Sequence, residues 1–170
     1  MTISIYAATV PLLTRQLTSL LGVLEKAEAY AAERKFSPDN FVEARLAPDM
    51  HPLKFQIQSA SDHAKFIVSR LSGRQPPSWP DDEKTFAELK ARLTKALDYV
   101  KGFTEADIKG GDDREVTIRV SGQERQVKGE NYFLFRALPN FYFHVTTAYD
   151  ILRHGGVPVG KGDFLPRLGD

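Results

Sequence analysis

The chain has 170 residues, of which 42% are hydrophobic and 26% charged, and its formal net charge is +1. This length predicts one globular domain, residues 1–170, with a single hydrophobic core. The near-neutral charge argues against a protein that binds nucleic acid electrostatically, and the absence of cysteine excludes disulfides, thiolate nucleophiles and cysteine-ligated zinc.

Apolar residues recur at helical spacing through residues 3–35 and predict a long first helix, in which Pro11 can produce a local kink. The chain starts without a basic segment and reaches Arg15 and Gln16 early, so this region predicts a helix and not a signal peptide. No uninterrupted apolar run approaches the roughly 20 residues that a membrane span needs. We therefore expect a cytoplasmic protein that makes no contact with a membrane.

A second helix is predicted to begin with Asp49 as its N-cap and Pro52 in its first turn, and to end before Gly73. Gln56 and His63 follow one flank of its apolar face. The residues of that face recur every three or four positions and predict a helix packed against a core: Leu53, Ile57, Ala60, Ala64, Ile67 and Leu71.

A long connector leads to a third helix, for which Asp81 or Asp82 is the predicted N-cap and which ends near Gly102. Residues 115–120 and 123–128 then flank a Ser-Gly turn and predict a small β-hairpin. An isolated hairpin is only marginally stable, so we expect this one to pack against the helices.

The last helix is predicted over residues 130–153, and it is ended by a pair of glycines. Pro139 interrupts the pattern, so that the helix either kinks there or begins there. Four helices with one apolar face each predict an all-α four-helix bundle, with the hairpin between the third and fourth helices. The connector between the second and third helices allows an up-down-down-up order as well as a simple up-down order.

Asn140 and His144 are four residues apart, so they share one face of the last helix with apolar residues predicted to face the core. A buried amide and imidazole need partners, and Gln56 is the predicted partner of His144. His144 is a candidate ligand-binding residue, metal ligand or general base, or a histidine that only stabilises the fold. Asn140 is a candidate ligand-binding residue or a partner for the carbonyl that Pro139 leaves free, and Tyr142 either donates its hydroxyl to the same pocket or packs in the core.

Two segments, LAPDMHPLKFQIQSASDHAKFIVSRLSG and LPNFYFHVTTAYDILRHGGVPVGKGDF, resemble blocks of an uncharacterised bacterial family. That family is grouped with the DinB/YfiT-like four-helix bundles, a superfamily of candidate metalloenzymes. The resemblance implies an up-down-down-up bundle in the bacterial cytoplasm, often a homodimer. At the level of the superfamily it implies a metal-dependent hydrolase or transferase.

In the wider superfamily, one histidine of the second helix and an H-x-x-x-H pair of the last helix hold a divalent metal. In this chain the pair is Asn140-x-x-x-His144, and the second helix has glutamine near the expected level, with His51 and His63 one to two turns away. An amide oxygen is a poorer ligand than imidazole for zinc or nickel. The matching positions alone therefore do not supply three histidines.

Two hypotheses follow. In the first, the protein binds a small molecule or a divalent metal, zinc or nickel, at His144, with Asn140, Gln56 or His63 as partners. In the second, the site is degenerate and binds no metal, and the protein acts through dimerisation or partner binding.

Overall fold

The structure, a computed structural model, describes residues 3–165, and most of these residues are helical. The prediction of a mainly helical protein with one small antiparallel hairpin is confirmed. In chain order the elements are α1 (Ile5–Glu33), a 3-10 turn (Pro38–Phe41), α2 (Leu53–Ser72), α3 (Phe86–Lys101), α4 (Glu105–Ile108), β1 (Glu115–Val120), β2 (Gln123–Lys128), α5 (Gly129–Tyr132), a π-helix (Phe133–Ala137), α6 (Leu138–His154) and α7 (Lys161–Phe164).

The starts of α2 and α3 differ from the predicted ones. Pro52 is the N-cap of α2, so the prediction that Asp49 caps this helix is wrong. The N-cap of α3 is Thr85, whose hydroxyl accepts a hydrogen bond from the Glu88 N–H at 3.2 Å, while the Glu88 carboxylate accepts from the Thr85 N–H at 2.9 Å. This reciprocal capping box satisfies two backbone donors at once, which explains why α3 starts here and not at an aspartate.

The first helix supplies one side of the core. By length and composition alone α1 could cross a membrane, a test that signal sequences and the core helices of soluble proteins also pass. The sequence prediction considered only uninterrupted apolar runs and therefore missed this property. One face of α1 is buried in the protein, through Thr9, Val10, Leu13, Gln16, Leu17, Leu20, Val23, Leu24, Ala27 and Ala31.

Contacts at the two ends of α2 and α3 define how these helices lie. Near the start of both helices, the Gln58 amide donates a hydrogen bond to Glu83 at 2.8 Å. Near their C-terminal ends, the hydroxyls of Ser69 and Tyr99 are 2.9 Å apart. The first turns of α2 and α3 are therefore neighbours, and so are their last turns.

The other long helices are placed by two further contacts. Lys90, early in α3, pairs with Glu28, late in α1, at 2.6 Å. Arg70, late in α2, donates a hydrogen bond at 3.0 Å to the hydroxyl of Tyr132, which precedes α6. The start of the last helical segment therefore lies beside the C-terminal end of α2.

The hairpin has the predicted strands and turn. Residues 115–120 pair in antiparallel register with residues 123–128. Ser121 and Gly122 have φ values of 51° and 80°, and two positive φ values are typical of the type I′ turns that favour tight hairpins. The hairpin is joined closely to the helices, because a Cβ on Gly129 would lie 1.8 Å from the carbonyl oxygen of Gly111.

The segment from α5 to α6 is helical throughout, and α6 itself begins at Leu138 with Pro139 in its first turn, which agrees with one of the two predicted alternatives. Pro139 has no N–H to donate to the carbonyl four residues earlier, and its ring crowds that carbonyl. The preceding turn widens instead into a π-helix, in which the Leu138 N–H donates to the carbonyl of Phe133, five residues back. Such π turns are frequent at functional sites, and this one lies directly before the segment that carries His144.

Candidate functional site

Gln56 and His144 form a hydrogen-bonded relay between α2 and α6. The Gln56 side chain is almost fully buried, and its Nε2 donates to the carbonyl oxygen of His51 at 3.0 Å. Its Oε1 lies 2.9 Å from Nδ1 of His144, so the predicted hydrogen bond between Gln56 and His144 is present. Because this oxygen can only accept, Nδ1 of His144 must donate, and the neutral ring keeps its lone pair on Nε2.

A second imidazole, that of His63, lies against His144. The ring centroids are 5.5 Å apart, and the ring planes differ by 16°. His63 is seven residues after Gln56, or two helical turns, which places both side chains on the same face of α2. Phe55 meets His144 edge-on at 5.9 Å, and His51 stacks on Phe55 at 4.0 Å.

Both imidazoles are neutral at neutral pH. Burial, together with the nearby charge of His144, lowers the pKa of His63 from its usual 6.5 to about 4. Burial also lowers the pKa of His144, and the charge of His51 acts in the same direction. A neutral imidazole has one nitrogen lone pair, which can accept a hydrogen bond, take up a proton or ligate a metal.

Asn140 is used by its own helix. Its side-chain amide donates a hydrogen bond to the carbonyl oxygen of Arg136, inside the π-helix. The neighbouring carbonyl, that of Phe135, receives no hydrogen bond from Pro139, because proline has no N–H. The bond therefore ties the amide to the widened turn and not to His144.

Tyr142 is also separated from the histidines. Two residues correspond to roughly 200° around an α-helix, so Tyr142 and His144 project from nearly opposite sides of α6. The Tyr142 ring contacts Phe141 at 5.5 Å, and burial raises the pKa of its hydroxyl. Of the residues singled out in the sequence, the structure thus brings together Gln56, His63 and His144.

These residues do not fit the three-histidine metal site of the superfamily. His63 and His144 offer two imidazoles, but the amides of Gln56 and Asn140 are already bonded within the protein. Across residues 3–165, no group of three histidine, cysteine, aspartate or glutamate side chains is placed to hold a metal ion. A catalytic zinc site normally has three protein ligands, one more than the imidazoles present here.

A second polar cluster, on the side of α2 that faces α3, was not anticipated. The carboxylate of Asp62 accepts from Lys65 and from Arg92, each at 2.8 Å. Arg92 also donates to Glu83 at 2.9 Å and to the carbonyl of Pro80 at 2.7 Å, which holds the connector between α2 and α3 in place. Sequence reasoning missed the cluster because lysine and arginine are rarely buried, whereas Lys65 and Arg92 are 2% and 4% exposed.

Two cavities lie away from the histidines. One, of about 260 Å³, lies between the connector and α3 and is lined by Trp79, Arg92 and Lys95 among others. The other, of about 760 Å³, runs along α1 and includes Gly22 and Asp163 in its lining. The histidine pair instead occupies a half-buried position between α2 and α6, where His63 and His144 are both partly accessible.

Comparison with known proteins identifies a family and a similar solved structure. The family model described as "Domain of unknown function (DUF1993)" matches residues 5–165. The crystal structure of a DinB family member from Shewanella denitrificans is similar with a TM-score of 0.89 and 39% sequence identity, over 96% of this chain and 92% of that chain. No curated protein matches the sequence.

Proposed function

Because the chain belongs to the DUF1993 family, we propose that it is a DinB-like protein that binds a small ligand at His144, without needing a metal. The observation that supports this proposal is the relay from the His51 carbonyl through Gln56 to His144. It orients the ring and leaves the lone pair of Nε2 for an incoming group. A ligand hydroxyl that donates to Nε2 is the interaction that this arrangement favours.

The pair of half-buried imidazoles strengthens this proposal. Oriented polar groups at the edge of an apolar region are typical of small-molecule sites, where a few hydrogen bonds decide orientation. Here Nε2 of His144 would accept the hydroxyl, His63 would supply the adjacent imidazole, and Phe55 would supply an apolar wall.

The test compares mandelamide with phenylacetamide, which differ only in one hydroxyl group. The readout is NMR of the histidine ring nitrogens at pH 7.5, where His144 should show the tautomer protonated on Nδ1. Mandelamide should shift the Nε2 signal of His144 more than phenylacetamide does. Gln56→Leu should abolish the difference because it removes the relay, whereas His154→Gln, at the exposed end of α6, should leave it unchanged.

The same protein allows a direct test of metal binding. Chelator-treated protein would be unfolded thermally with and without zinc or nickel, because a metal that binds only the folded state raises the midpoint. One result would contradict the metal-free proposal: zinc or nickel raises the unfolding midpoint of the wild type but not of His144→Ala, and mandelamide causes no change in the His144 signal. The site would then be a metal site with two histidine ligands.

We further propose that the four long helices form an up-down-down-up bundle. The side-by-side starts and ends of α2 and α3 support a parallel pair. The Lys90–Glu28 and Arg70–Tyr132 contacts support α1 and α6 running in the opposite direction. The connector of residues 73–85 is long enough to return the chain along a helix of this size, since extended residues span about 3.3 Å each.

A second candidate function is that of a homodimer or interaction module, and exposed aromatic side chains on the last helical segment favour it. Phe135 is 76% exposed, Phe143 is 57% exposed, and Leu134 is 44% exposed. Exposed apolar groups of this kind are common at protein interfaces. Sedimentation analysis of the wild type and of Phe135→Ser tests this proposal, and a dimer that dissociates in the variant would support it.

We also propose that the protein is located in the cytoplasm of a bacterium. The bacterial source of the similar crystal structure and the buried face of α1 support it. The near-neutral net charge supports a protein without a nucleic-acid partner.

A further inference from the structure

We propose that the ligand of the His144 site is a small anion, a carboxylate or a phosphate, bound by Arg70 and Arg136 and carrying a hydroxyl for His144. This inference rests on the proposed ligand-binding function and adds the chemical class of the ligand. It is carried by two guanidinium groups that have no carboxylate partner in the described part of the chain, one of them two turns after His63 on α2 and the other about two turns before His144.

Arg70 is held in place by aromatic groups. It lies seven residues after His63, so both side chains lie on one face of α2, two turns apart. Its guanidinium lies 4.8 Å from the ring centre of Phe66 and 5.2 Å from that of Tyr132, and Nη1 donates to the Tyr132 hydroxyl at 3.0 Å. A guanidinium has five N–H donors, so most of them are left for a ligand. Within residues 3–165 this side chain forms no ion pair.

Arg136 provides the second cation. It lies in the π-helix, two turns before His144, and its backbone carbonyl is bonded to the Asn140 side chain. Its side chain is exposed and makes no ion pair with any residue that the structure describes. The charges of Arg70 and Arg136 both lower the pKa of His63, so both guanidinium groups lie within electrostatic range of that imidazole.

The carboxylate of Asp62 also acts on His63, and it is paired with two other cations. Asp62 raises the pKa of His63, but its carboxylate is bonded to both Lys65 and Arg92. Among the residues that the structure describes, the buried cations Lys65 and Arg92 are thus paired with acids, whereas Arg70 and Arg136 are not. Two cations beside two neutral imidazoles create a positive corner on a protein whose net charge is only +1.

The chemistry of these groups defines the ligand. Guanidinium binds carboxylate and phosphate oxygens through paired, charge-assisted hydrogen bonds. His144, with its lone pair on Nε2, accepts from a hydroxyl, and neither arginine can do so. A hydroxy carboxylate combines the two features, and so does a phosphate ester that carries a separate hydroxyl, because the phosphate group itself is largely a dianion without a proton at pH 7.5. The shared class is a small anion with a hydroxyl group.

The experiment uses mandelate, mandelamide, phenylacetate and phenyl phosphate as probes of the full-length protein. Mandelate and mandelamide differ in charge, and mandelate and phenylacetate differ in the hydroxyl. Dissociation constants and the ring-nitrogen signals of His63 and His144 would be measured at pH 7.5 and low salt. Mandelate should bind roughly tenfold more tightly than mandelamide, the scale of one charge-assisted hydrogen bond, and added salt should reduce this advantage.

Arginine variants provide the controls. Arg136→Gln removes an exposed side chain and should preserve the fold while reducing the advantage of mandelate over mandelamide severalfold. Arg70→Lys keeps the charge but loses the planar donor group, so it should weaken binding less than Arg70→Gln. Arg119→Gln, on the hairpin, is a charge-matched control and should have no effect.

The outcomes separate the two proposals. Equal binding of mandelate and mandelamide, with the His144 signal still shifted, would overturn the anion inference and leave the His144 site intact. Preference for mandelate without any response of His144, or equal binding of phenylacetate, would overturn the role of His144. No binding of any probe would overturn both. Phenyl phosphate has no hydroxyl at pH 7.5, so tighter binding of phenyl phosphate than of mandelate would overturn the role of His144 and leave the two arginines as an anion site.

Discussion

The low pKa of His63 makes the stability of the folded protein depend on pH in a defined direction. In the unfolded chain a histidine binds its proton with a pKa near 6.5, whereas burial lowers that of folded His63 to about 4. Between these values the unfolded state binds more protons, so the free energy of unfolding rises with pH. The stabilisation is complete above pH 6.5 and is lost as the pH falls toward 4.

The size of the effect follows from the shift. Each pKa unit corresponds to about 1.4 kcal/mol, so a shift from 6.5 to about 4 corresponds to about 3 kcal/mol. The lowered pKa of His144 contributes with the same sign. Because the two rings are neighbours, protonation of one also opposes protonation of the other.

The assay is urea unfolding of the wild type and of His63→Gln at intervals from pH 4 to pH 7.5. Carboxylates titrate in both proteins, so their contribution cancels in the difference between the two curves. The wild type should lose about 3 kcal/mol more than the variant between pH 7 and pH 4. His154→Gln removes an exposed histidine and reports the general effect of such a substitution.

Parallel pH curves for the wild type and His63→Gln would refute this reasoning. They would mean that His63 is protonated as readily in the folded protein as in the unfolded chain. A steeper curve for His63→Gln would refute it equally, because the sign of the linkage would then be reversed.

Two further predictions concern the scaffold. Gly129→Ala should destabilise the protein by roughly 3 kcal/mol in urea unfolding, because its Cβ would meet the carbonyl of Gly111 at 1.8 Å. Gly160→Ala is the control, since nothing lies within 4 Å of a Cβ there, and equal midpoints for the two variants would contradict the reasoning. Arg92→Met should cost about 3–5 kcal/mol at pH 7 because it leaves Glu83 without its buried cation and leaves Asp62 paired with Lys65 alone. That cost should shrink near pH 4, where carboxylates take up protons, and a cost that does not change with pH would contradict this explanation.

Periodicity predicted the parts of the fold that depend on local chemistry. The apolar spacing of residues 53–71 and 130–153 placed two helices and their buried faces. The alternating pattern around Ser121-Gly122 placed the hairpin, because few residue pairs adopt two positive φ values easily. The same reasoning about helix faces predicted the hydrogen bond between Gln56 and His144.

Local alternatives of similar strength account for the wrong N-caps of α3 and for the two roles left open for Asn140. Asp81 and Asp82 both look like N-caps of α3, but Thr85, followed three residues later by Glu88, satisfies more backbone donors. Asn140 shares a helix with His144, yet the π-helix before Pro139 offers its amide a nearby carbonyl. In each case the sequence contains both options and does not rank them.

By itself, then, the amino-acid sequence determined the helices, the hairpin and the side of each helix that faces the core, because these follow from interactions between residues close in the chain. The tertiary structure decided which polar groups meet. Gln56 and His144 are 88 positions apart, and His63 becomes a neighbour of His144 only when α2 packs against α6. The same packing leaves Arg70 and Arg136 without carboxylate partners among the described residues, while it pairs Lys65 and Arg92 with acids. Burial and charge pairing depend on distances across the fold, and these distances set the proton affinity of the histidines.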